Sequence, residues 1–350
     1  MRTTLALLIV ALLIPAVLIS ITLTAVSITV TPSGILGILH RADAGKLTQD
    51  ALVATIRTSD IRALTERFGI SKDALVTLAP DILPADQLTV WMDSAVPQIF
   101  AWLNGSASNP SIILDTSAEK VNLGQVLTLY LDRIADSMPV CPVDRSTIDR
   151  SRALPLCRPA NLSPMELRNQ VSGPNGTVAN LLTSIPNSVD LMNLAPAAAA
   201  VTGKAPRIAT LTNTPELERI RGYYRALHRA VPFAWAVVVV LLLLLTSLKH
   251  YPQRSLFRWL GIALFAAGIL PAVLGTVLVF GAALSLLPPT TDMPPEVAHA
   301  ITVLAQTFAD AVGRLPLALG AAFLLAGTAL FTVSVLHHHP TTPHAGIRRH

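Results

Sequence analysis

The sequence predicts a mainly α-helical membrane protein. It reads as four transmembrane helices, one followed by three, with a mostly helical extracytoplasmic domain between the first and second spans. Three observations carry this expectation. Only 13% of the 350 residues are charged and 52% are apolar, whereas a soluble domain carries about 25% charged residues. Four stretches lack Asp, Glu, Lys and Arg and are long enough to cross a bilayer, which takes roughly 20 apolar residues at 1.5 Å rise each. The basic residues divide unequally between the loops, as cytoplasmic loops of membrane proteins require.

The four stretches are Leu5 to Val30, Val231 to Leu248, Leu260 to Leu287 and Leu315 to Leu336. The first is too long for a secretory h-region of about 7–15 residues, and only Arg2 precedes it as a charge. Residues 1–30 are therefore expected to be an uncleaved signal anchor, with cleavage near Ala25 as the alternative. Placing the N-terminus inside puts residues 1–4, 249–259 and 337–350 on the cytoplasmic side. They hold Arg2, Lys249, Arg254, Arg258, Arg348 and Arg349 and no acidic residue. All 21 acidic residues fall in 31–230 and 288–314. The expectation is a multi-pass protein of the cell membrane with both termini cytoplasmic. The net charge of +5 is a topology signal and implies no nucleic-acid partner.

Residues 31–228 form the expected extracytoplasmic domain, with 18 basic and 18 acidic residues. Ser59 or Asp60 caps a helix bearing Ile61, Leu64 and Phe68, and Gly69 ends it. Ser71 opens a second, stopped by Pro80. Near Pro84 a longer helix begins, with Leu88, Trp91, Ala95, Ile99 and Trp102 on one face. Asn104-Gly105 closes it with a glycine suited to a left-handed stop, and Pro97 predicts a kink or two helices. Ser111 to Asp115 is the best strand candidate. Thr116 or Ser117 caps the next helix, with Val121, Leu127, Tyr130 and Ile134. Ser163-Pro164-Met165-Glu166 is a capping box with proline at the first helical position. Asn175-Gly176 turns the chain into a helix with Val178, Leu181, Leu182 and Ile185, ended by Pro186. Residues 187–213 read as irregular. Thr214-Pro215-Glu216 starts a final helix, with Leu217, Ile220, Tyr224 and Leu227 buried, that runs into the second span and bends at Pro232. Arg225, His228 and Arg229, with Tyr223 and Tyr224, are expected to anchor it at headgroup level.

Cys141 and Cys157 lie in this domain. In an oxidising compartment a pair 16 residues apart is expected to be bridged; a redox pair and a metal site are the other readings. No histidine lies between His40 and His228 to complete a metal site.

In residues 229–350 the three spans carry small residues where helices can touch. Gly268 and Ala272 do so in the third span; Ala318, Ala322 and Ala326 line one face of the fourth. Packing within the chain is one use of these faces and a homo-oligomer the other. No ionisable residue lies within a span, which argues against an ion channel or proton-coupled carrier. Residues 295–312 form an expected extracytoplasmic amphipathic helix, with Val297, Ile301, Leu304, Phe308 and Val312 at helical spacing. Glu296 and His299 stand one turn apart without a third metal ligand beside them.

Chemistry-bearing motifs are missing: no G-x-S-x-G, H-E-x-x-H, Walker A, G-x-G-x-x-G or C-x-x-C occurs. Asp115 after Ile112-Ile113-Leu114 is read as a cap. No catalytic, cofactor or metal residue is singled out. Leu83-Pro84-Ala85-Asp86, the helix ending Trp102-Leu103-Asn104-Gly105, Ile112 to Asp115, and Cys141-Pro142 with Cys157-Arg158-Pro159 are similar to uncharacterised bacterial multi-pass membrane proteins with a disulfide-closed extracytoplasmic domain. That resemblance covers residues 80–190 and implies no activity or cofactor. The layout of one span, an external domain and three spans also resembles FtsX/MacB-type permease subunits, which pair with a separate ATPase. Those carry a cytoplasmic amphipathic helix before the first span, where this sequence has four residues. The expected function is a non-enzymatic scaffold or sensor. It would sit in the lipid bilayer and bind a protein partner, lipid or envelope component through the extracytoplasmic domain. A permease-like transport subunit and a membrane-associated enzyme are the alternatives.

Overall fold

The computed structural model describes residues 2–58, 70–108, 111–142, 155–192, 215–247, 253–281 and 294–336. Helix accounts for 81% of them. In chain order the elements are α1 (Arg2–Thr29), α2 (Pro32–Arg41), α3 (Ala44–Thr58), α4 (Lys72–Ile82), α5 (Ala85–Asn104), β1 (Ile113–Asp115) and α6 (Ser117–Ile134). There follow α7 (Pro164–Ser172), α8 (Thr177–Ser184), β2 (Ser188–Asp190), α9 (Pro215–Ser247), α10 (Gln253–Val279) and α11 (Pro295–Leu336). The expected helix at 59–69 and the expected cytoplasmic segment 337–350 lie outside the described residues.

Two compact units form. The first takes residues 1–31, 224–288 and 306–350; the second takes 32–223 and 289–305. Four helices are long and apolar enough to cross a bilayer, over Leu7–Thr29, Leu217–Ser247, Phe257–Val279 and Pro295–Leu336. The last span and the amphipathic stretch before it form one 42-residue helix. It continues through Pro316, a fully buried residue whose ring removes one backbone hydrogen bond.

In the first unit, Ile9, Leu13, Val17 and Ile21 recur every four residues along α1. They bury against Val238 and Leu245 of α9 and Ala263 and Ala267 of α10. The rest of α1 is equally apolar, and Leu7, Leu12 and Ile19 are exposed; a helix apolar on all sides suits a lipid surround. Three mid-helix hydroxyls bond within the helix: Ser20 donates to the Ala16 carbonyl at 2.8 Å, Thr22 to Leu18 at 2.8 Å and Thr24 to Ser20 at 2.7 Å, as an environment without water favours. Trp235 of α9 donates its indole N–H to Thr24 Oγ1 of α1 at 2.9 Å.

Helices α10 and α11 meet along two interlocked glycine series. Gly261, Gly268 and Gly275 face Gly327, Gly320 and Gly313, in antiparallel order. A Cβ at Gly268 would stand 2.7 Å from the Gly320 carbonyl oxygen, and one at Gly327 would stand 2.5 Å from the Phe265 nitrogen. Each series repeats every seven residues, the period that keeps one seam facing its partner along the whole contact. Only residues without a Cβ permit this approach of backbones.

The second unit is built around α6. Val126, Leu127 and Leu131 bury against Ile70 and Leu78, against Leu167 and Val171 of α7, and against Val178 of α8 and Met138. Ser71 caps α4 as expected, accepting from Ala74 N–H at 3.2 Å. The helix does not stop at Pro80 but continues to Ile82. Gln49 of α3 donates to the carbonyls of Pro80 and Leu83, at 3.3 and 2.9 Å, so the exposed end of α4 is supplied with donors. Helix α5 runs unbroken through Pro97. Its halves are both pinned: Trp91 donates to Asp115 O at 3.0 Å, and Gln98 pairs with the Ile113 backbone. The buried face is Leu88, Val96, Phe100, Trp102 and Leu103, rotated from the expected stripe, so Ile99 is exposed. Gly105 ends the helix at φ 90°, a left-handed conformation that favours glycine.

Strand β1 falls within the expected segment. Its partner β2 lies inside the stretch read as irregular, paired antiparallel with Leu114 opposite Val189. Gln98 stands in for a third strand: its Nε2 donates to Ile113 O at 3.0 Å and its Oε1 accepts from Ile113 N–H at 2.8 Å.

Candidate functional site

Cys141 and Cys157 are bonded, with Cα atoms 4.9 Å apart. The chain on either side is also tied by backbone: Cys141 N–H donates to Arg158 O at 2.8 Å and Arg158 N–H to Pro139 O at 2.7 Å. The Arg158 guanidinium donates to Leu162 O at 2.7 Å. The bridge therefore clamps the segment leaving α6 to the segment entering α7, beside core residue Met138. Closing a loop of this length stabilises by about 3 kcal/mol in the chain-entropy model.

Of the other singled-out residues, Gly268 and Ala272 sit at the α10–α11 contact; Ala272 Cβ is 2.9 Å from where a Cβ on Gly320 would stand. Ala318, Ala322 and Ala326 lie on the exposed face of α11. The face that α11 turns to α10 carries Gly313, Gly320 and Gly327 instead. Among the described residues no three His, Cys, Asp or Glu side chains are grouped to hold a metal ion.

In the second unit an open groove of about 700 Å³ lies between α6 and α8. Val121, Gln125, Thr128 and Leu129 come from α6, and Val178 and Leu182 from α8. The bend Ser172-Gly173-Pro174 closes one end. No lining residue is charged. Gly124 keeps the groove floor open; a Cβ there would meet Leu182 Cδ1 at 2.8 Å. Val121 and Leu129 are 58% and 56% exposed, so two large apolar side chains meet solvent at its rim. Ser172 Oγ is buried there without a hydrogen-bond partner. An apolar concavity with a few polar groups is the usual form of a ligand site.

Side chains cap the start of α7, which precedes the groove, and of α6, one of its walls. The α7 capping box forms in full: Glu166 accepts from Ser163 N–H at 2.8 Å, and Ser163 Oγ accepts from Glu166 N–H at 3.2 Å. The Ser163 backbone N–H foremost, and its side chain next, lower the pKa of the Glu166 carboxyl. At α6 the Thr116 hydroxyl is diverted to the Pro186 carbonyl at 2.7 Å, and Asp115 accepts from Ser117 N–H at 2.9 Å. The Ser117 side chain and backbone lower the Asp115 pKa. Asp115 thus acts as a cap. Glu119, in the first turn of α6, is buried with neither carboxylate oxygen partnered.

Sequence reasoning did not find the groove, because Val121, Leu129, Val178 and Leu182 read as ordinary apolar helix positions. Two more anchors were equally invisible. Arg221 of α9 lies over the Trp102 ring, 5.5 Å from its centroid, and His40 meets Asp93 at 2.7 Å. Each joins residues at least 50 apart, and nothing local marks them.

No protein-family model matches the chain, and no curated protein or solved structure is similar to it.

Proposed function

We propose that the protein is a multi-pass scaffold or sensor of the cell membrane without chemistry of its own. Its second unit is extracytoplasmic and binds a hydrophobic segment of an envelope partner in the α6–α8 groove. The observation that carries this reading is the uncharged groove itself, on a unit whose sequence is otherwise rich in both charges. Leaving Val121 and Leu129 exposed to water costs free energy that a bound apolar group recovers, about 25 cal/mol per Å² covered.

Topology is supported from two directions. That residues 32–223 and 289–305 belong to one unit supports reading the segments before the second and fourth spans as lying on the same side, as four crossings require. The six basic residues in the remaining loops favour the cytoplasm for the other side.

A photo-crosslinker at Leu129, in native membranes, tests the binding reading. A discrete adduct is expected, lost when Gly124→Trp fills the groove and unaffected by Asp86→Asn. Equal adducts in the filled variant would refute it. Cysteine labelling of Ser106→Cys and Ser255→Cys, made in a Cys141→Ser/Cys157→Ser background, tests orientation. External reagent should reach only the first, and the reverse pattern would invert the topology.

A further inference from the structure

We propose that a second cleft of this unit, between α3 and the first turns of α11, binds a small zwitterion carrying an ammonium and a phosphate or carboxylate. Its volume is about 410 Å³, within the range of ligand sites. Arg57 and Asp50 reach it from α3, and Glu296 and His299 from α11. Val53 and Ala54 supply an apolar floor. Two helices some 240 residues apart in sequence thus bring charges of both signs to one concavity.

These charges do not neutralise each other. No ion pair or hydrogen bond engages Arg57, Glu296 or His299 among the described residues, and Asp50 has only an exposed contact with Lys46 at 3.4 Å. Opposite charges that line one space without closing on each other leave both signs available to a ligand. A lone anion drawn to Arg57 meets repulsion from Asp50 and Glu296, and a lone cation meets repulsion from Arg57. A molecule with both charges avoids both penalties: its anionic group takes the guanidinium fork, and its ammonium sits between the carboxylates. Among the described residues no three side chains here are grouped closely enough to hold a metal ion.

A free zwitterion and a phospholipid headgroup present the same pair of charges, and the probes below distinguish them.

The inference rests on reading this unit as a binding domain but not on the groove, so the groove-filled Gly124→Trp variant should keep zwitterion binding. The test uses the full chain in phosphatidylglycerol nanodiscs, titrated with phosphoethanolamine and, separately, with inorganic phosphate and with ethanolamine. Saturable binding of phosphoethanolamine is expected, at least tenfold tighter than either half. Arg57→Gln and Glu296→Gln should each weaken it about tenfold. Phosphate alone binding as tightly would overturn the proposal, as would affinity unchanged in Arg57→Gln. Binding seen only when phosphatidylethanolamine replaces the soluble probe would assign the cleft to a lipid headgroup instead. The ligand comparison needs only the unmutated chain, so the result does not depend on the variants folding.

Discussion

Replacing Gly320 with valine tests the seam between α10 and α11. A Cβ at position 320 would stand 2.5 Å from Ala272 N and 2.9 Å from both Ala272 Cα and Cβ. Favourable carbon contacts lie at about 3.5–4.0 Å. The obstacle is backbone, so no side-chain rotation relieves it, and the two helices must part by roughly 1 Å. A gap of that size forfeits up to about half of each contact's attraction, and lipid supplies no hydrophobic force in compensation. Overpacking costs about 1–3 kcal/mol, and valine's helix propensity recovers only a few tenths of a kcal/mol. The net loss should sit near the top of that range and lower the apparent melting temperature by roughly 5–10 °C. The assay is thermal unfolding in nanodiscs, read by size-exclusion chromatography after heating. Two controls set the sign. Gly37→Ala, with no atom within 4 Å of the added carbon, should stabilise by about 0.5–1 kcal/mol. Ala318→Val, on the exposed face of α11, should change stability by less than about 0.5 kcal/mol. If Gly320→Val melts with the wild type, or Ala318→Val is equally harmful, the seam lies elsewhere.

Converting both Cys141 and Cys157 to serine should cost about 2–4 kcal/mol, seen as a lower urea midpoint of the second unit. A full-length chain that takes up two alkyl groups without prior reduction would contradict the bridge. Ser163→Ala removes half of the α7 capping box and should cost about 1 kcal/mol at neutral pH. Folding lowers the pKa of Glu166 and of Asp115, so their contribution is present above the unfolded pKa and is lost as pH falls through the folded one. The wild-type advantage over Glu166→Ala should therefore shrink below roughly pH 4; a constant difference down to pH 2 would exclude the carboxylate from the cap. Thr24→Val removes the acceptor of the Trp235 indole and should cost about 0.6 kcal/mol, at most about 1.7. It should also shift Trp235 emission, and an unchanged spectrum would count against the bond.

Much of the second unit was legible from local chemistry. Ser71, Ser163-Pro164-Met165-Glu166 and Gly105 end or begin helices where their side chains or conformational freedom dictate, within a few bonds of the residue concerned. Proline was the weaker guide. Pro80, Pro97 and Pro316 each lie inside a continuous helix, because packing and side-chain hydrogen bonds on both flanks outweigh one missing N–H. The α6 cap shows the same limit. Thr116 to Glu119 has the spacing of a capping box, yet a carbonyl 70 residues away takes the threonine hydroxyl.

By itself the sequence determined the solvent in which each helix is stable. Uninterrupted apolar length and the absence of charge are properties of consecutive residues, and they suffice for four bilayer-length rods. The placement of the two cysteines likewise pointed to their bond. Tertiary structure decided which faces those rods present to one another and where a ligand could enter. The alanines at 318, 322 and 326 and the glycines at 313, 320 and 327 are equally small, and only the approach of α10 selects between them. Strand β2, the groove between α6 and α8 and the mixed-charge cleft all join residues remote in sequence. Their existence depends on pairings whose energy no single segment contains.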